Sequence, residues 1–332
     1  MKKDMISVGV IGAGGFIGQD HLKRMASVVE GVRIAALYDL DQERCAALAE
    51  KYGAQVMDSA EALIASPEVD AVMITAWDGV HADLTQKCIV AHKPVFCEKP
   101  LATTLEDCRD IVQAERRAGE GLVQVGFMRR FDADYKKMKD ILKSGALGKP
   151  IMAHCISRTP RIAKGFRDPM HITNIVIHEI DVFRWLLDEE IVRGQVHFSR
   201  STCFAEEGLH DPQLVLMWSE SGVLIDVESS ANSYYGYEIQ CEIVCEKGTI
   251  RLPNPAAPIV RSRLQCAVEI MDDWSERFPD AYRAELQHWI DYLRGRESEA
   301  GPSTQDGYAA CAVAEALMLS QQTGQAEDVL GL

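Results

Sequence analysis

The amino-acid sequence predicts an α/β fold in two parts, a doubly wound parallel sheet followed by an α/β domain with a mostly antiparallel sheet. Strand-like and helix-like segments alternate over about the first 125 residues, which is the pattern of a parallel sheet with helices on both faces. A glycine-rich turn follows the first strand. Later in the chain, β-like segments succeed one another across short turns that contain glycine, as in antiparallel sheets.

The first part contains five strand-like and five helix-like segments. Glycine or polar residues separate them, and the strand-like segments are mostly apolar. The strands are expected at 5–12, 32–40, 69–76, 94–98 and 122–128, and the helices at 16–29, 42–53, 61–66, 81–92 and 104–119.

The second part begins with a strand and a long apolar helix, and further strands follow. The strands are expected at 150–159, 192–200, 212–220, 222–231, 237–246 and 248–252, and the helices at 171–187, 281–295 and 305–324. We therefore divide the chain into domains at 1–125 and 126–332, and we expect the C-terminal helix, at about 304–323, to pack back on the first domain.

The composition is that of an ordinary globular protein of 332 residues, with 47% hydrophobic and 26% charged residues. The formal net charge of −15 argues against a nucleic-acid or anionic-membrane partner, whose binding sites would be basic. There is no apolar run long enough for a membrane span. The ten cysteines include no C-x-x-C pair, so we expect reduced thiols in a cytoplasmic protein and no metal site.

The turn after the first strand, "VGVIGAGGFIG", has the features of a dinucleotide site. Gly12 allows the tight turn, and Gly14 lets the backbone approach a pyrophosphate at the helix N-terminus. The interval to Gly18 is one residue longer than in the G-x-G-x-x-G fingerprint. Alternatively, Gly15 occupies the insertion and leaves the geometry nearly unchanged.

Asp39, at the end of the second strand, makes this signal more specific. An acidic residue about 20 positions after the glycines is expected to bind the ribose 2′-hydroxyl and to repel a 2′-phosphate. No arginine follows Asp39 directly, and Arg44 is the nearest. The predicted cofactor is therefore NAD rather than NADP.

The helix at 171–187, "HITNIVIHEIDVFRWLL", is apolar except for a few polar residues. Asn174, His178 and Asp181 are spaced four and then three residues apart, which would place them on one face of an α-helix. A lone histidine on such a helix is most often a satisfied core residue, so the pattern alone leaves its role open.

Several motifs give the chain a more specific likeness. "VFCEKPLATT" (95–104), "GFMRRFD" (126–132) and "IHEIDVFRWL" (177–186) resemble motifs of the glucose–fructose oxidoreductase/inositol dehydrogenase/MocA family. The likeness extends nearly end to end and is greatest to the inositol 2-dehydrogenase branch.

This resemblance implies an N-terminal Rossmann domain and a C-terminal α/β domain with a large, open-faced sheet. It also implies an NAD-dependent dehydrogenase that oxidises a secondary ring alcohol of a cyclitol or sugar. The expected partners are a small polyol substrate and further copies of the chain, in a dimer or homotetramer formed through the open sheet face.

The resemblance also implies the site residues. Lys99 of the E-K-P motif and His178 of the H-E-I-D motif are the expected catalytic pair, with Asn174 beside the histidine. His178 would accept the hydroxyl proton, and Lys99 would stabilise the developing alkoxide. The residues expected to bind the cofactor are Gly12, Gly14, Phe16, Ile17, Asp39, Trp77, His81 and Glu98. The residues expected to bind substrate are Arg129, Ser157, Thr159, Asp181, Tyr235, Tyr237 and Tyr282, some of the tyrosines from a neighbouring subunit.

The sequence departs from the inositol dehydrogenases at three of these positions. Asn174 stands where they usually carry Asp, so His178 should be a weaker base here, because an amide brings no negative charge. Ser157 and Thr159 stand where His and Asn are usual, which predicts a roomier pocket with different hydrogen-bonding groups. The substrate is therefore myo-inositol, another stereoisomer or a pyranose-like sugar. The basic, aromatic segment 161–171 either frames the pocket entrance or is a solvated loop.

Three functions fit this family. The first is the NAD-dependent cyclitol or sugar dehydrogenase. The second is a non-catalytic NAD-binding regulator, which would be favoured if Lys99 or His178 were missing, but both are present. The third is a redox-neutral enzyme that cleaves a glycosidic bond by transient oxidation, to which no residue points specifically.

Overall fold

The computed structural model describes residues 3–255 and 257–331, and it consists of two compact units. The first unit contains the chain up to Met128 together with Tyr282–Cys311, and the second contains Arg129–Ala281 together with the chain from Ala312 onward. Each unit has its own large sheet. Among the described residues, no helix combines the length and the apolar character needed to cross a membrane.

The first unit is built on a six-stranded sheet in which every neighbouring pair is parallel. The strand order is β3-β2-β1-β4-β5-β6, which is the order of a dinucleotide-binding fold. The strands are β1 (Ile6–Ile11), β2 (Val32–Tyr38), β3 (Gln55–Val56), β4 (Ala71–Ile74), β5 (Val95–Cys97) and β6 (Val123–Val125). The helices between them are α1 (Phe16–Ser27), α2 (Gln42–Tyr52), α3 (Ala60–Ala65), α4 (His81–Val90) and α5 (Leu105–Ala118). The prediction of a parallel α/β domain is confirmed.

Local sequence explains where these helices begin and end. The side chains of Asp41, Ser59 and Thr104 accept hydrogen bonds from the first turns of α2, α3 and α5, as N-cap residues do. Gly53 ends α2 in the left-handed conformation, with φ of 66°. All the residues of β1, β4 and β5 are buried, as expected for central strands of a parallel sheet.

The second unit is built on a seven-stranded sheet of order β12-β11-β7-β10-β9-β8-β15. Its strands are β7 (Pro150–Arg158), β8 (Ile191–Phe198), β9 (Gln213–Ser219), β10 (Leu224–Ser230), β11 (Glu238–Cys245), β12 (Gly248–Arg251) and β15 (Glu327–Asp328). A separate hairpin consists of β13 (Ile259–Ser262) and β14 (Gln265–Val268). Only β7 and β10 pair in parallel, so the prediction of a mostly antiparallel sheet is confirmed.

The remaining α-helices follow β6 in the chain. They are α6 (Ala133–Lys143), α7 (Asp168–Met170), α8 (Ile177–Leu187), α9 (Trp274–Arg277), α10 (Pro279–Arg294) and α11 (Thr304–Thr323), and a 3₁₀ turn at Met128–Phe131 precedes α6. Most of α10 belongs to the first unit, where Leu286, Trp289 and Ile290 pack into the core formed by β1, β2 and α1. The first turns of α11 also belong to the first unit.

The two faces of the seven-stranded sheet differ. On β7, Ala153, Cys155 and Ser157 are buried, whereas the alternate residues, such as His154, are partly or fully exposed. The cross-strand register places Trp218, Leu224, Asp226 and Glu242 on this same exposed side. We call it the open face.

The apolar helix expected at 171–187 is not a regular α-helix. Its first turns, His171–Val176, form a π-helix, and the α-helix α8 begins only at Ile177. The expectation of one α-helical register over 171–187 is therefore wrong for these first six residues. A π-helix has hydrogen bonds from i to i+5, so it widens the turn that carries Asn174.

Candidate active site

The glycine turn after β1 is tightly enclosed by the backbone of the neighbouring strand. Gly12 has φ of +85°, and a Cβ at this position would lie 2.4 Å from the backbone nitrogen of Ala76. The Thr75 hydroxyl donates to the carbonyls of Ile11 and Gly12, at 3.1 Å each. Only glycine fits at residue 12.

The structure distinguishes the surroundings of Gly15, which the sequence suggests as the inserted residue, from those of Gly18. A Cβ at Gly18 would lie 2.4 Å from the Gly12 carbonyl oxygen, whereas one at Gly15 would make only an ordinary contact, at 3.5 Å from the same atom. Gly18 is therefore the position at which a side chain is excluded, despite the longer interval. Phe16 and Ile17 lie at the start of α1, and Phe16 is exposed.

Asp39 lies beside this turn, as the sequence predicts. Its Oδ2 accepts a hydrogen bond from the Gly14 backbone nitrogen at 2.8 Å, and its Oδ1 accepts one from the Asp41 nitrogen at 2.9 Å. These bonds hold the carboxylate at the end of β2, where a ribose diol would meet it. Arg44, to which the sequence analysis gives no role, donates to the Gly14 carbonyl at 3.2 Å and therefore lies beside the same glycine as Asp39.

Glu98 and Lys99 follow β5 directly. The buried Glu98 carboxylate is 2.7 Å from Nε2 of His21, a buried residue of α1, and it also accepts from the Lys99 backbone nitrogen at 3.2 Å. Glu98 therefore fixes the backbone on which Lys99, a half-buried residue, is carried. His21 is a member of this site that the sequence does not point to.

Trp77 and His81 lie in the loop after β4 and at the start of α4. The Trp77 ring is 77% exposed, so it is available to a ligand. His81 is buried, and its ring nitrogens lie 2.8 Å from the Pro100 carbonyl and 3.0 Å from the Ala76 carbonyl. Burial alone would lower the pKa of His81, but the Cys97 side chain and the two carbonyls raise it to about 10. His81 thus ties the Trp77 loop to the E-K-P segment.

Tyr282 belongs to the first unit. Its ring centroid is 5.8 Å from that of His21, and the Arg24 guanidinium lies 5.2 Å from it. The tyrosine is buried among these side chains, although the resemblance implies a contact with substrate.

In the second unit, Asn174 and His178 are half-buried, while most of their neighbours in the two helical segments are fully buried. The Thr173 hydroxyl donates to Oδ1 of Asn174 at 3.0 Å. Asp181 differs from these two residues, because it is buried. Only part of the predicted polar stripe therefore reaches the surface of this unit.

Two ion pairs join the 3₁₀ turn before α6 to α8, and their carboxylates are both buried. Arg130 binds Asp181 through two hydrogen bonds, Nε to Oδ2 at 2.9 Å and Nη2 to Oδ1 at 2.5 Å. Arg129 forms an ion pair with Glu179, and both side chains are buried. The resemblance implies substrate contacts for Arg129 and Asp181, and the structure places both inside these pairs.

Ser157 and Tyr237 lie near Glu179. Burial raises the pKa of the Glu179 carboxyl, and the Arg129 guanidinium and the Ser157 hydroxyl partly oppose this rise. Burial also raises the pKa of the Tyr237 hydroxyl to about 12, although Arg129 acts to lower it. Arg129, Ser157 and Tyr237 of the predicted substrate set are thus brought together around a glutamate that the sequence reasoning omits.

Tyr235 lies elsewhere. Its hydroxyl accepts from Arg158 Nη1 at 2.9 Å and donates to Glu238. Arg158 follows Ser157 on β7 and therefore projects from the opposite, open face. Tyr235 and Ser157 of one chain consequently cannot line the same pocket. Thr159, just beyond β7, is held by backbone bonds to Ser230 and Ser233.

Comparison with known proteins gives matches in both halves of the chain. The model for "Oxidoreductase family, NAD-binding Rossmann fold" matches residues 6–127, and the model for "GFO/IDH/MocA C-terminal domain" matches residues 135–251. Both models belong to one family of two-domain oxidoreductases.

Individual relatives match over nearly their whole length. The chain is 48% identical over 320 residues to Inositol 2-dehydrogenase 3 of Saccharopolyspora erythraea, covering 96% of this chain and 94% of the relative. It is 44% identical to Inositol 2-dehydrogenase of Serratia proteamaculans, covering 96% and 95%. A crystal structure of myo-inositol dehydrogenase from Lactobacillus casei, in complex with NAD(H) and myo-inositol, matches with a TM-score of 0.95 at 35% identity, covering 99% and 98%.

Proposed function

This chain belongs to the GFO/IDH/MocA family of NAD-binding oxidoreductases, and we propose that it oxidises a secondary ring alcohol of an inositol or a related cyclitol to a ketone. The observation that carries the proposal is the likeness to inositol 2-dehydrogenases at 43–48% identity, which extends through both units. The E-K-P and H-E-I-D motifs are both intact within it.

The residues of the glycine turn fit NAD. Gly12 and Gly18 have no room for a side chain, and the Asp39 carboxylate is held beside Gly14, where an acceptor for ribose hydroxyls is needed. Phe16, Ile17, Trp77, His81 and Glu98 complete the proposed cofactor set. Bound NAD supplies the two-electron acceptor for the oxidation.

The proposed work of the protein side chains is acid–base and electrostatic. His178 accepts the proton of the reacting hydroxyl, and a histidine suits this task because its pKa lies close to the working pH. Lys99 donates a hydrogen bond to the same oxygen and stabilises the negative charge that develops on it. Asn174 orients the imidazole without adding a charge.

The other predicted residues hold the substrate or the helix that carries His178. We propose that Asp181 and Arg129, through their ion pairs with Arg130 and Glu179, fix α8 so that His178 keeps one orientation. Ser157, Thr159, Tyr237 and Tyr282 are proposed to shape the pocket. Small hydroxyl side chains at 157 and 159 leave room for a ring hydroxyl of either configuration.

We further propose that the chain forms a homo-oligomer, such as a homotetramer, through the open face. Trp218, Leu216 and Leu214 lie on this face and are partly exposed, and an uncovered sheet face with such side chains is typical of an interface. Tyr235 lies on the same face and would meet the neighbouring subunit. A cytoplasmic location is proposed from the ten free thiols.

The test is the formation of NADH by the purified protein with a panel of inositol stereoisomers and aldopyranoses. We expect turnover with at least one inositol, with NAD preferred over NADP. If the protein bound NAD but reduced none with any member of the panel, the dehydrogenase proposal would be overturned in favour of a non-catalytic regulator. Turnover with aldopyranoses alone would reassign the substrate class.

A further inference from the structure

The hairpin β13–β14 has no residue buried within its own chain. Within the described part of the chain its strands pair only with each other, from Ile259 opposite Val268 to Ser262 opposite Gln265, and all eight strand residues are exposed. Its tip is a two-residue turn of Arg263 and Leu264, with φ of 49° and 61°. We call the segment Ile259–Val268 the arm.

An arm of this kind is not stable in isolation. A two-stranded hairpin is marginal in water unless another strand or a helix packs against it. The apolar side chains of Ile259, Val260 and Val268 are each more than half exposed, and Leu264 at the tip is fully exposed. The arm therefore has the character of a segment that packs against a further surface.

A complementary surface lies on the open face of the seven-stranded sheet. A groove of about 490 Å³ there is lined by four carboxylates, Asp226, Glu228, Glu238 and Glu242, and by Leu214 and Ile156. We call it the acidic groove. Arg158 binds Glu228 and Glu238, and His154 binds Asp226. The four carboxylates of the groove outnumber the two arginines at it, Arg158 and Arg251.

The charges of the arm are opposite to those of the acidic groove. The arm contains Arg261 and Arg263 and no acidic residue, in a chain whose formal net charge is −15. None of the residues 259–268 is among those that line the groove of the same chain. The arm thus combines apolar side chains and two positive charges that its own groove does not use.

We propose that the arm of one copy docks into the acidic groove of a second copy of this chain. The inference rests on the self-association through the open face proposed above and assigns it a specific contact. Two identical acidic grooves that meet face to face would repel each other, and Arg261 and Arg263 supply a counter-charge. In a two-fold arrangement each arm would reach the partner's groove, so the contact is made twice.

Two natural cysteines provide a direct test. Cys266 lies on the arm and Cys203 lies outside it, and both are exposed, whereas the other eight are buried. The rate of reaction with a maleimide is measured above and below the concentration at which the protein associates, with Cys203→Ser and Cys266→Ser used to assign the two signals. We expect association to slow the reaction of Cys266 with the maleimide by about tenfold or more, because a docked side chain is shielded from solvent. The reaction rate of Cys203 should stay unchanged.

Charge variants test the same contact through the association constant, measured by sedimentation equilibrium. Arg261→Glu with Arg263→Glu should weaken association by about tenfold or more, and Glu242→Arg added to this pair should restore most of the loss. Arg116→Glu with Arg117→Glu, on exposed positions of α5, makes the same charge change away from the arm and should have little effect.

A third variant distinguishes a failure of the arm proposal from a failure of the open-face interface. Trp218→Glu places a charge in the open face and should dissociate the oligomer. If it does, while Cys266 reacts equally at both concentrations and the arm variants associate normally, the open-face interface stands and the arm proposal is overturned. If Trp218→Glu leaves association unchanged, the interface itself is wrong and the arm proposal falls with it.

Discussion

At the scale of single residues, the helix that carries His178 is held by charges that are almost completely buried. Arg129 binds Glu179, and Arg130 binds Asp181. Removal of one member of such a pair leaves an uncompensated charge in the protein and typically costs about 3–5 kcal/mol. Glu179 directly follows His178, so the pairs fix the backbone next to the proposed base. A cavity or a loose side chain at this position would let the imidazole turn away from the substrate.

The proposed catalytic pair gives the first prediction. Lys99→Ala and His178→Ala should each lower kcat by about 10²–10⁴-fold, because one removes charge stabilisation of the alkoxide and the other removes the proton acceptor. Steady-state kinetics with the best inositol measures the loss, and isothermal titration should show that NAD binding is retained. Lys137→Ala and His92→Asn change exposed residues of the same types and should be near wild type. Wild-type turnover in either catalytic variant would remove that residue from the mechanism.

Asn174 gives the second prediction. A carboxylate beside a histidine stabilises the protonated ring. Asn174→Asp should therefore raise the apparent pKa of the low-pH limb of the kcat/KM profile, which reports the deprotonation of the general base. Asn174→Ala, which removes the amide without adding charge, is the matched control and should not raise it. The profile is measured over the range in which the protein stays folded. A profile that does not move in Asn174→Asp would mean that residues 174 and 178 do not interact.

At the scale of secondary-structure elements, the π-helix His171–Val176 shows where sequence-based prediction ends. The apolar periodicity of "HITNIVIHEID" predicts a helix, and a helix is found. Its wide first turns make contacts with distant parts of the chain. Nδ1 of His171 lies 3.0 Å from the Ser229 hydroxyl, and Nε2 lies 3.9 Å from Asp211. A local pattern contains no information on these partners, and the pairings of Glu179 and Asp181 were missed for the same reason.

His81 gives an element-scale prediction, because it joins the start of α4 to the segment after β5. Its pKa is about 10 in the folded chain, above the ordinary 6.5, so the native state holds an extra proton between these values. Protonated His81 stabilises the folded state fully below pH 6.5, and this stabilisation is lost as the pH rises through about 10. The unfolding free energy should therefore fall by up to about 1.4 kcal/mol per pH unit in this window from His81 alone.

The measurement is urea unfolding at several pH values between 7 and 9. His81→Gln should be less stable than wild type at pH 7 and should show a smaller decline with pH. His92→Asn, which changes an exposed histidine in the loop after α4, should follow the wild-type curve. Parallel curves for wild type and His81→Gln would contradict a charged His81.

At the scale of the whole molecule, the first unit is discontinuous in sequence, because Tyr282–Cys311 belongs to it although the second unit begins at Arg129. The order of a parallel α/β part and a mostly antiparallel part follows from the alternation of segments in the sequence. The return of α10 to the first unit does not, because it depends on Trp289 and Leu286 filling a core to which β1, β2 and α1 contribute from the start of the chain. An amphipathic pattern shows that α10 has an apolar side but cannot identify the surface that covers it.

The last prediction concerns the choice between NAD and NADP, which can be measured through the stability of the whole chain. A ligand that binds only the folded state stabilises it by mass action, by about 2.7 kcal/mol at a hundred times its Kd. Asp39→Ala removes the acceptor that Gly14 holds beside the glycine turn, so stabilisation by NAD should fall by about 1.4 kcal/mol for each tenfold loss of affinity. Stabilisation by NADP should be kept or increased, because the repulsion of the 2′-phosphate is lost while Arg44 remains in place.

Unfolding in urea with each cofactor in turn measures both changes in the same variant. Asp110→Ala, which removes an exposed carboxylate of α5, is the matched control and should keep the wild-type order of NAD over NADP. Equal loss of both cofactors in Asp39→Ala would indicate damage to the turn rather than loss of discrimination, and an unchanged response to NAD would contradict the ribose contact. Because the two cofactors differ only at the 2′ position, the ratio of their effects isolates the contribution of Asp39 from any general change in stability.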